Sequence, residues 1–249
     1  MKIAIYPTYA ELSIAAAADF IFHMQESPIP LCCIASGDSP VGLYNELARQ
    51  FKESKLDISN WRFAGLDEWL GMDGSDEGSC RHMLERTVVK SLQLRDEQTC
   101  FFDGKTQDAQ AECERVEMFI KNHGGLDISV LGLGLNGHLG LNEPGTPFSA
   151  GAHVSTISAS TQAVGQKYFS SPTLLTKGIT LGLGSLMQSK NITLIVSGKK
   201  KAEITREFIE GEITEQIPAS ILQKHPSCIV YLDEAAASFL SKKTKAQFG

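Results

Sequence analysis

A histidine and a carboxylate, His138 and Glu143, stand five residues apart inside the run Leu131-Gly-Leu-Gly-Leu-Asn-Gly-His-Leu-Gly-Leu-Asn-Glu-Pro-Gly145. An imidazole titrates near neutrality and can move a proton on or off an oxygen, while a carboxylate can fix its tautomer and stabilise its charged form. The five glycines of the run keep the backbone bare and permissive. A second pair of acids, Asp67 and Glu68, ends the apolar run Trp61–Leu66. A carboxylate held over a carbon next to a carbonyl shuttles a proton between neighbouring carbons. Alternation along a strand sends two adjacent side chains to opposite sides, so one of this pair faces a site with ease. No serine or cysteine elbow lies beside His138, so nucleophilic hydrolysis is not indicated. No His/Asp spacing supplies three close ligands, so no metal is expected.

Two other segments suit an anion. Ser36-Gly37-Asp38-Ser39 opens a helical pattern, where backbone N–H groups, the helix dipole and two hydroxyls form a natural cradle. Capping of the helix by Ser39 or Asp38 is the plainer reading of the same residues. The Asp38 carboxylate would repel an anion, so it is expected to point away or to act as the cap. From Pro144 to Ala202 there is no Asp or Glu, and the same stretch holds lysines at 167, 177, 190, 199, 200 and 201. Lys199–Lys201 begin another helical pattern, and one of the three is expected to face the ligand. The string Gly132-Leu-Gly-Leu-Asn-Gly137 matches a dinucleotide fingerprint, but that fold wants an acid about 20 residues on to hold the ribose. The acid-free stretch supplies none, and a phosphorylated ligand fits better.

Strands are expected at Lys2–Tyr6, Pro30–Ala35, Trp61–Leu66, Leu126–Leu133, Ile179–Leu183, Ile192–Ser197 and Cys228–Leu232. Helices are expected at Leu12–Phe22, Ser39–Lys55, Ser79–Ser91, Asp108–Asn122 and Lys199–Gly211. Such alternation implies an α/β fold: one open, mostly parallel sheet with helices on both faces, a Rossmann-like three-layer sandwich. No linker divides the 249 residues, so a single domain over 1–249 is expected. Ligands of open α/β sheets bind beyond the carboxyl ends of the strands. Ser36–Ser39, Asp67-Glu68, Gly134–Glu143 and Gly198–Lys201 each follow a strand and would converge there. A net charge of −6 argues against nucleic acid or an anionic membrane as partner. Six cysteines without metal or disulfide spacing suit a reduced, cytoplasmic setting.

With these residues in place the chain resembles the glucosamine-6-phosphate deaminase/isomerase family, including its galactosamine-6-phosphate branch. The resemblance spans nearly the whole length. It is carried by Ala35-Ser-Gly-Asp-Ser-Pro40, Leu66-Asp-Glu-Trp69, Gly132–Gly145, Ser197-Gly-Lys-Lys-Lys-Ala202 and Pro218-Ala-Ser-Ile-Leu-Gln-Lys-His225. It implies that Asp67 moves the C2 proton to C1 and that His138, supported by Glu143, opens the pyranose ring. It further implies that Ser36, Gly37, Ser39 and Lys201 bind the phosphate of an amino-sugar phosphate. Asp38 and Lys167 complete the phosphate-binding candidates, Lys167 lying in an expected mobile lid around 152–178. No cofactor is implied, because the substrate's own carbonyl activates C2.

Asn136 stands where the family often has Asp and can only orient by hydrogen bonds. Lys167 stands for a lid arginine and loses its bidentate fork. Asp38 replaces a small residue. The chain also lacks the longer C-terminus of the allosteric hexameric branch, so a monomer or small homo-oligomer is expected. Leu66–Trp69 followed by Gly78-Ser-Cys80 is closer to the galactosamine branch. The rival enzyme, 6-phosphogluconolactonase, typically shows Asp-Glu-Arg after the strand and no Asn-Glu-Pro-Gly. A non-catalytic sugar-phosphate sensor domain would carry a DNA-binding helix pair ahead of the first strand, which here starts at Lys2.

Overall fold

Neighbouring residues of one short apolar run belong to different cores. Leu31 and Cys33 pack into one cluster with Val116 and Phe208, and Cys32 and Ile34 into another with Leu12, Phe20 and Leu47. A strand buried on both faces must lie inside a sheet covered twice by helices.

The computed structural model describes residues 1–54 and 56–248. It runs β1 (Lys2–Tyr6), α1 (Tyr9–Gln25), β2 (Leu31–Ile34), α2 (Val41–Ser54), β3 (Arg62–Gly65) and β4 (Asp67–Trp69). Next come α3 (Cys80–Leu84), a π-helical turn at Glu85–Val89, α4 (Lys90–Leu92), β5 (Thr99–Cys100), α5 (Ala109–Asn122) and β6 (Ile128–Gly132). The chain ends with β7 (His153–Thr156), α6 (Ala159–Gly165), β8 (Lys177–Thr180), α7 (Leu183–Leu186), β9 (Asn191–Val196), α8 (Ala202–Glu210), β10 (Cys228–Asp233) and α9 (Lys242–Phe248).

Among the described residues, seven strands form a parallel sheet in the order β1-β10-β9-β6-β2-β3-β5. From β2 the chain winds outward through β3 to β5, and from β6 it winds the other way through β9 to β10. The crevice beyond the carboxyl ends of β2 and β6 is therefore the topological switch point, where such sheets hold ligands.

Three expectations need correction. The strand expected at Ile179–Leu183 lies at Lys177–Thr180 and is not in the main sheet; it pairs antiparallel with β4 and β7 in a separate three-stranded sheet. Short segments whose partners are other short segments leave no periodic signal of which sheet they join. The single helix expected over Ser79–Ser91 is broken by the π-helical turn. The helix expected over Ser39–Lys55 begins at Val41, because Pro40 precedes it, and its expected end at Lys55 lies outside the described residues.

Leu66 joins the two sheets. Its N–H donates to Ile34 O at 3.0 Å, and its carbonyl accepts from Leu181 N at 2.9 Å. The bend there gives Asp67 and Glu68 a strand of their own. Asp67 faces the crevice, while Glu68 is fully buried and accepts hydrogen bonds from Trp69 N, Cys80 N, Arg81 N and Ser79 Oγ at 2.8–2.9 Å. One carboxylate thus fastens the start of α3 to β4.

Glu68→Ala removes the acceptor of three backbone donors, two of them buried. It is expected to lower stability by roughly 2–4 kcal/mol, measured by urea unfolding, with a smaller loss for Glu68→Gln. Unchanged stability in Glu68→Ala would show that the fastening is not needed.

Candidate active site

The segments after β9, β6, β2 and β3, which are neighbours in the sheet, close around one cavity of about 710 Å³. That is room for a ligand the size of a phosphorylated sugar. Ser36, Gly37, Asp38, Ser39, Asp67, Asn136, His138, Lys167 and Lys201 all line it. Glu143 does not, and sits buried behind Asn136.

The loop after β6 is folded tightly on itself. Gly134 must be glycine because a side chain there would begin 2.4 Å from the His138 ring. Asn142 ties the loop down by donating to Leu139 O and Leu181 O, both at 2.8 Å. His138 and Glu143 are not directly hydrogen-bonded: His138 Nδ1 and Glu143 Oε2 are 4.0 Å apart. Asn136 stands between them, its Nδ2 donating to Glu143 Oε2 at 2.7 Å and its Oδ1 lying 2.8 Å from His138 Nδ1.

A carboxylate accepts only, so the amide presents its NH₂ to Glu143 and its oxygen to the histidine. The proton then belongs on Nδ1, and Nε2 keeps a free lone pair for the cavity. Glu143 also accepts from Ser158 N at 3.2 Å, and Thr161 Oγ1 lies 3.1 Å from His138 Nδ1. Burial pushes the imidazole well below the usual histidine range and Lys201 adds to this, outweighing the opposing pull of Glu143. The ring is neutral at pH 7.

Asp67, lining the same cavity, is the complementary group. Burial raises its carboxyl to about 7, the Cys80 thiol opposes this by hydrogen bonding, and Glu68 next door adds to it. A carboxylate poised near neutrality is suited to taking a proton from carbon and giving it back. Thr161 and Tyr9 carry no signal in the sequence, and Cys80 enters there only within the Gly78-Ser-Cys80 likeness, without a role at the site. They arrive from α6, α1 and α3, and only the folded chain brings them in.

The cationic end is built from two elements. Lys201, half-buried at the turn before α8, donates Nζ to Leu133 O, while Lys199 and Lys200 are exposed and Lys199 bonds Ser238 Oγ at 3.0 Å. Burial and the nearby Lys167 lower the Lys201 ammonium to about 8. Gly37 holds φ +91°, a left-handed conformation that favours glycine, and donates its N–H to Met83 Sδ. The first two amides of α2 are not free: Val41 N donates to Asp38 O at 3.3 Å and Gly42 N to Tyr9 OH at 2.7 Å. Asp38 neither points away nor caps the helix. Its carboxylate reaches Lys167 Nζ at 2.5 Å, and both residues line the cavity.

Residues 10–230 match the family described as glucosamine-6-phosphate isomerases/6-phosphogluconolactonase. A glucosamine-6-phosphate deaminase of Shouchella clausii is 38% identical over 246 residues, covering 98% of this chain and 99% of that protein. A solved monomeric glucosamine-6-phosphate deaminase superposes with a TM-score of 0.93 at 35% identity, covering 96% of this chain and all of the other. The 6-phosphogluconolactonase of Trypanosoma brucei superposes at 0.74 with 19% identity over 96% of this chain and 98% of that one, a likeness of fold alone.

The hydrogen-bonded chain from Glu143 fixes an observable. In a ¹⁵N-edited NMR titration the His138 ring is expected to remain neutral with its proton on Nδ1 at pH 6, below the ordinary histidine midpoint of about 6.5. Glu143→Gln removes the acceptor-only constraint and should populate the Nε2–H tautomer. A protonated ring at pH 6 in the parent would contradict the geometry.

Proposed function

This chain belongs to the glucosamine-6-phosphate isomerase/6-phosphogluconolactonase family, and we propose that it is a hexosamine-6-phosphate deaminase/isomerase working through Asp67 and His138. The reaction consumes a 2-amino-2-deoxyhexose 6-phosphate and water, and yields a ketohexose 6-phosphate and ammonia. The observation that carries the reading is the convergence in one cavity of a near-neutral carboxylate, a neutral histidine with a free Nε2, and a half-buried lysine.

His138 Nε2 takes the proton of the C1 hydroxyl and delivers it to the ring oxygen, opening the pyranose to the aldehyde. Ionised Asp67 removes the proton on C2, the electron pair runs into the C1 carbonyl, and O1 takes a proton from the substrate's own ammonium group to give a neutral enolamine. Asp67 returns the proton to C1, leaving an iminium at C2. Water adds there, ammonia leaves, and C2 becomes the ketone. Glu143 acts through Asn136 to keep the imidazole in the tautomer that the first step needs. Asn136 contributes orientation and no charge. Ser36, Gly37, Ser39, Lys167 and Lys201 hold the phosphate at the other end, and residues 152–178 form a lid over it.

The Shouchella clausii and solved relatives are named for glucosamine 6-phosphate. Galactosamine 6-phosphate, giving tagatose 6-phosphate, is proposed as a second substrate on the Leu66–Trp69 and Gly78–Cys80 likeness. The lactonase alternative is disfavoured by Trp69 and by the Asn-Glu-Pro-Gly run that holds Glu143. A cytoplasmic, monomeric enzyme is proposed. The solved relative is described as monomeric, and among the described residues no helix is long and apolar enough to cross a membrane.

Ammonia release from glucosamine 6-phosphate by purified protein tests the reading, and hydrolysis of 6-phosphogluconolactone without ammonia release would overturn it. Asp67→Asn is expected to lower kcat by roughly 10²–10⁴ with a far smaller change in KM, since the phosphate is anchored elsewhere. Near-normal turnover would assign the proton transfer to another group. The profile of kcat/KM against pH should fall below about 7, as Asp67 takes a proton, and above about 8, as Lys201 loses its charge. Bound phosphate favours the charged lysine, so the alkaline limb of kcat should lie higher than that of kcat/KM.

A further inference from the structure

Lys167, which the deaminase reading assigns to the substrate's phosphate, already has an anion. Asp38 Oδ2 sits 2.5 Å from its Nζ, joining positions 129 residues apart and tying the lid to the loop after β2. The next lid residue closes over the same loop. The Tyr168 hydroxyl interacts with the backbone of Asp38 and lies 3.3 Å from where a Gly37 side chain would begin. The Lys167 ammonium rests 4.8 Å from the Tyr168 ring centre. Asp38, Lys167, Tyr168 and Lys201 all border one cavity.

Both partners of the ion pair are open to solvent, with 48% of the Lys167 side chain and 68% of the Asp38 side chain exposed. Such pairs are weak and exchange readily. A phosphate dianion entering the cradle offers Lys167 more charge than a carboxylate, and at the same time repels Asp38.

We propose that Asp38 is a resident competitor of the substrate's phosphate. In the free protein its carboxylate holds Lys167 and so latches the lid over the cradle; the incoming phosphate takes Lys167 over and the carboxylate swings out to water. This rests on the phosphate-binding role given to Lys167 and Lys201 above. Asp38 thereby sets the affinity for the anion by opposing it, and a neutral residue in its place binds the anion more tightly while leaving the free lid loose.

Asp38→Ser and the parent are compared by calorimetric titration with inorganic phosphate and by the rate of tryptic cleavage after Lys167 in the free protein. Phosphate should bind the variant about 2–10-fold more tightly, and cleavage of the variant without phosphate should be faster by about 2–5-fold. Saturating phosphate should slow cleavage in both. Unchanged or weaker phosphate binding in Asp38→Ser overturns the competitor, and unchanged cleavage overturns the latch. If the parent releases ammonia while either result is negative, the deaminase reading survives and this proposal falls. If both measurements respond as expected but no ammonia is released from hexosamine 6-phosphates, the proposal stands and the reaction assignment falls.

Discussion

Glu143 can only accept hydrogen bonds, and that restriction propagates to the reacting end of the site. It turns the Asn136 amide so that the NH₂ faces the carboxylate and the oxygen faces His138 Nδ1, at 2.7 and 2.8 Å. The imidazole proton is thereby placed on the buried nitrogen, and the nitrogen that faces the cavity becomes the base. A carboxylate touching the ring directly would have favoured the charged imidazolium. The intervening amide transmits orientation without bringing the full charge into contact, and burial keeps the ring neutral. The substitution of Asn for the Asp common in the family is therefore consistent with a working base.

The same economy governs β4. Two adjacent acids on β4 serve unrelated ends because a strand sends neighbours to opposite sides. Glu68 is surrounded by four donors and secures α3, which carries Cys80 back against Asp67. Asp67 has few donors, so burial dominates and its carboxyl sits near neutrality. Positioning and reactivity are separated by one residue, and the bend at Leu66 between the two sheets makes the separation possible.

Much of this was legible in the chain. Continuous apolar runs marked the parallel strands, since residues buried on both faces need no polar alternation. The polar segments after four of those runs located the crevice, because strand direction in a doubly wound sheet brings carboxyl ends together. The chemical types at Asp67, His138 and Lys201 followed from the same segments. The antiparallel second sheet was not legible, because His153–Thr156, Asp67–Trp69 and Lys177–Thr180 are short and pair over long separations. Nor were Thr161 beside His138, Tyr9 on Gly42 or Asp38 on Lys167, contacts made through space by ordinary residue types. The residue types suggested that Glu143 would hold the tautomer of His138. Only the folded loop reveals the amide between them.

The central claim is that an acid–base pair moves a proton from C2 to C1 before the amine leaves. Glucosamine 6-phosphate carrying deuterium at C2 tests it most directly when its product is examined by mass spectrometry and NMR. The expected product is a ketohexose 6-phosphate with no deuterium at C2, the label appearing at C1 or in water. A product that keeps its deuterium at C2, as direct displacement of the amine by water would give, would contradict the mechanism drawn from Asp67 and His138.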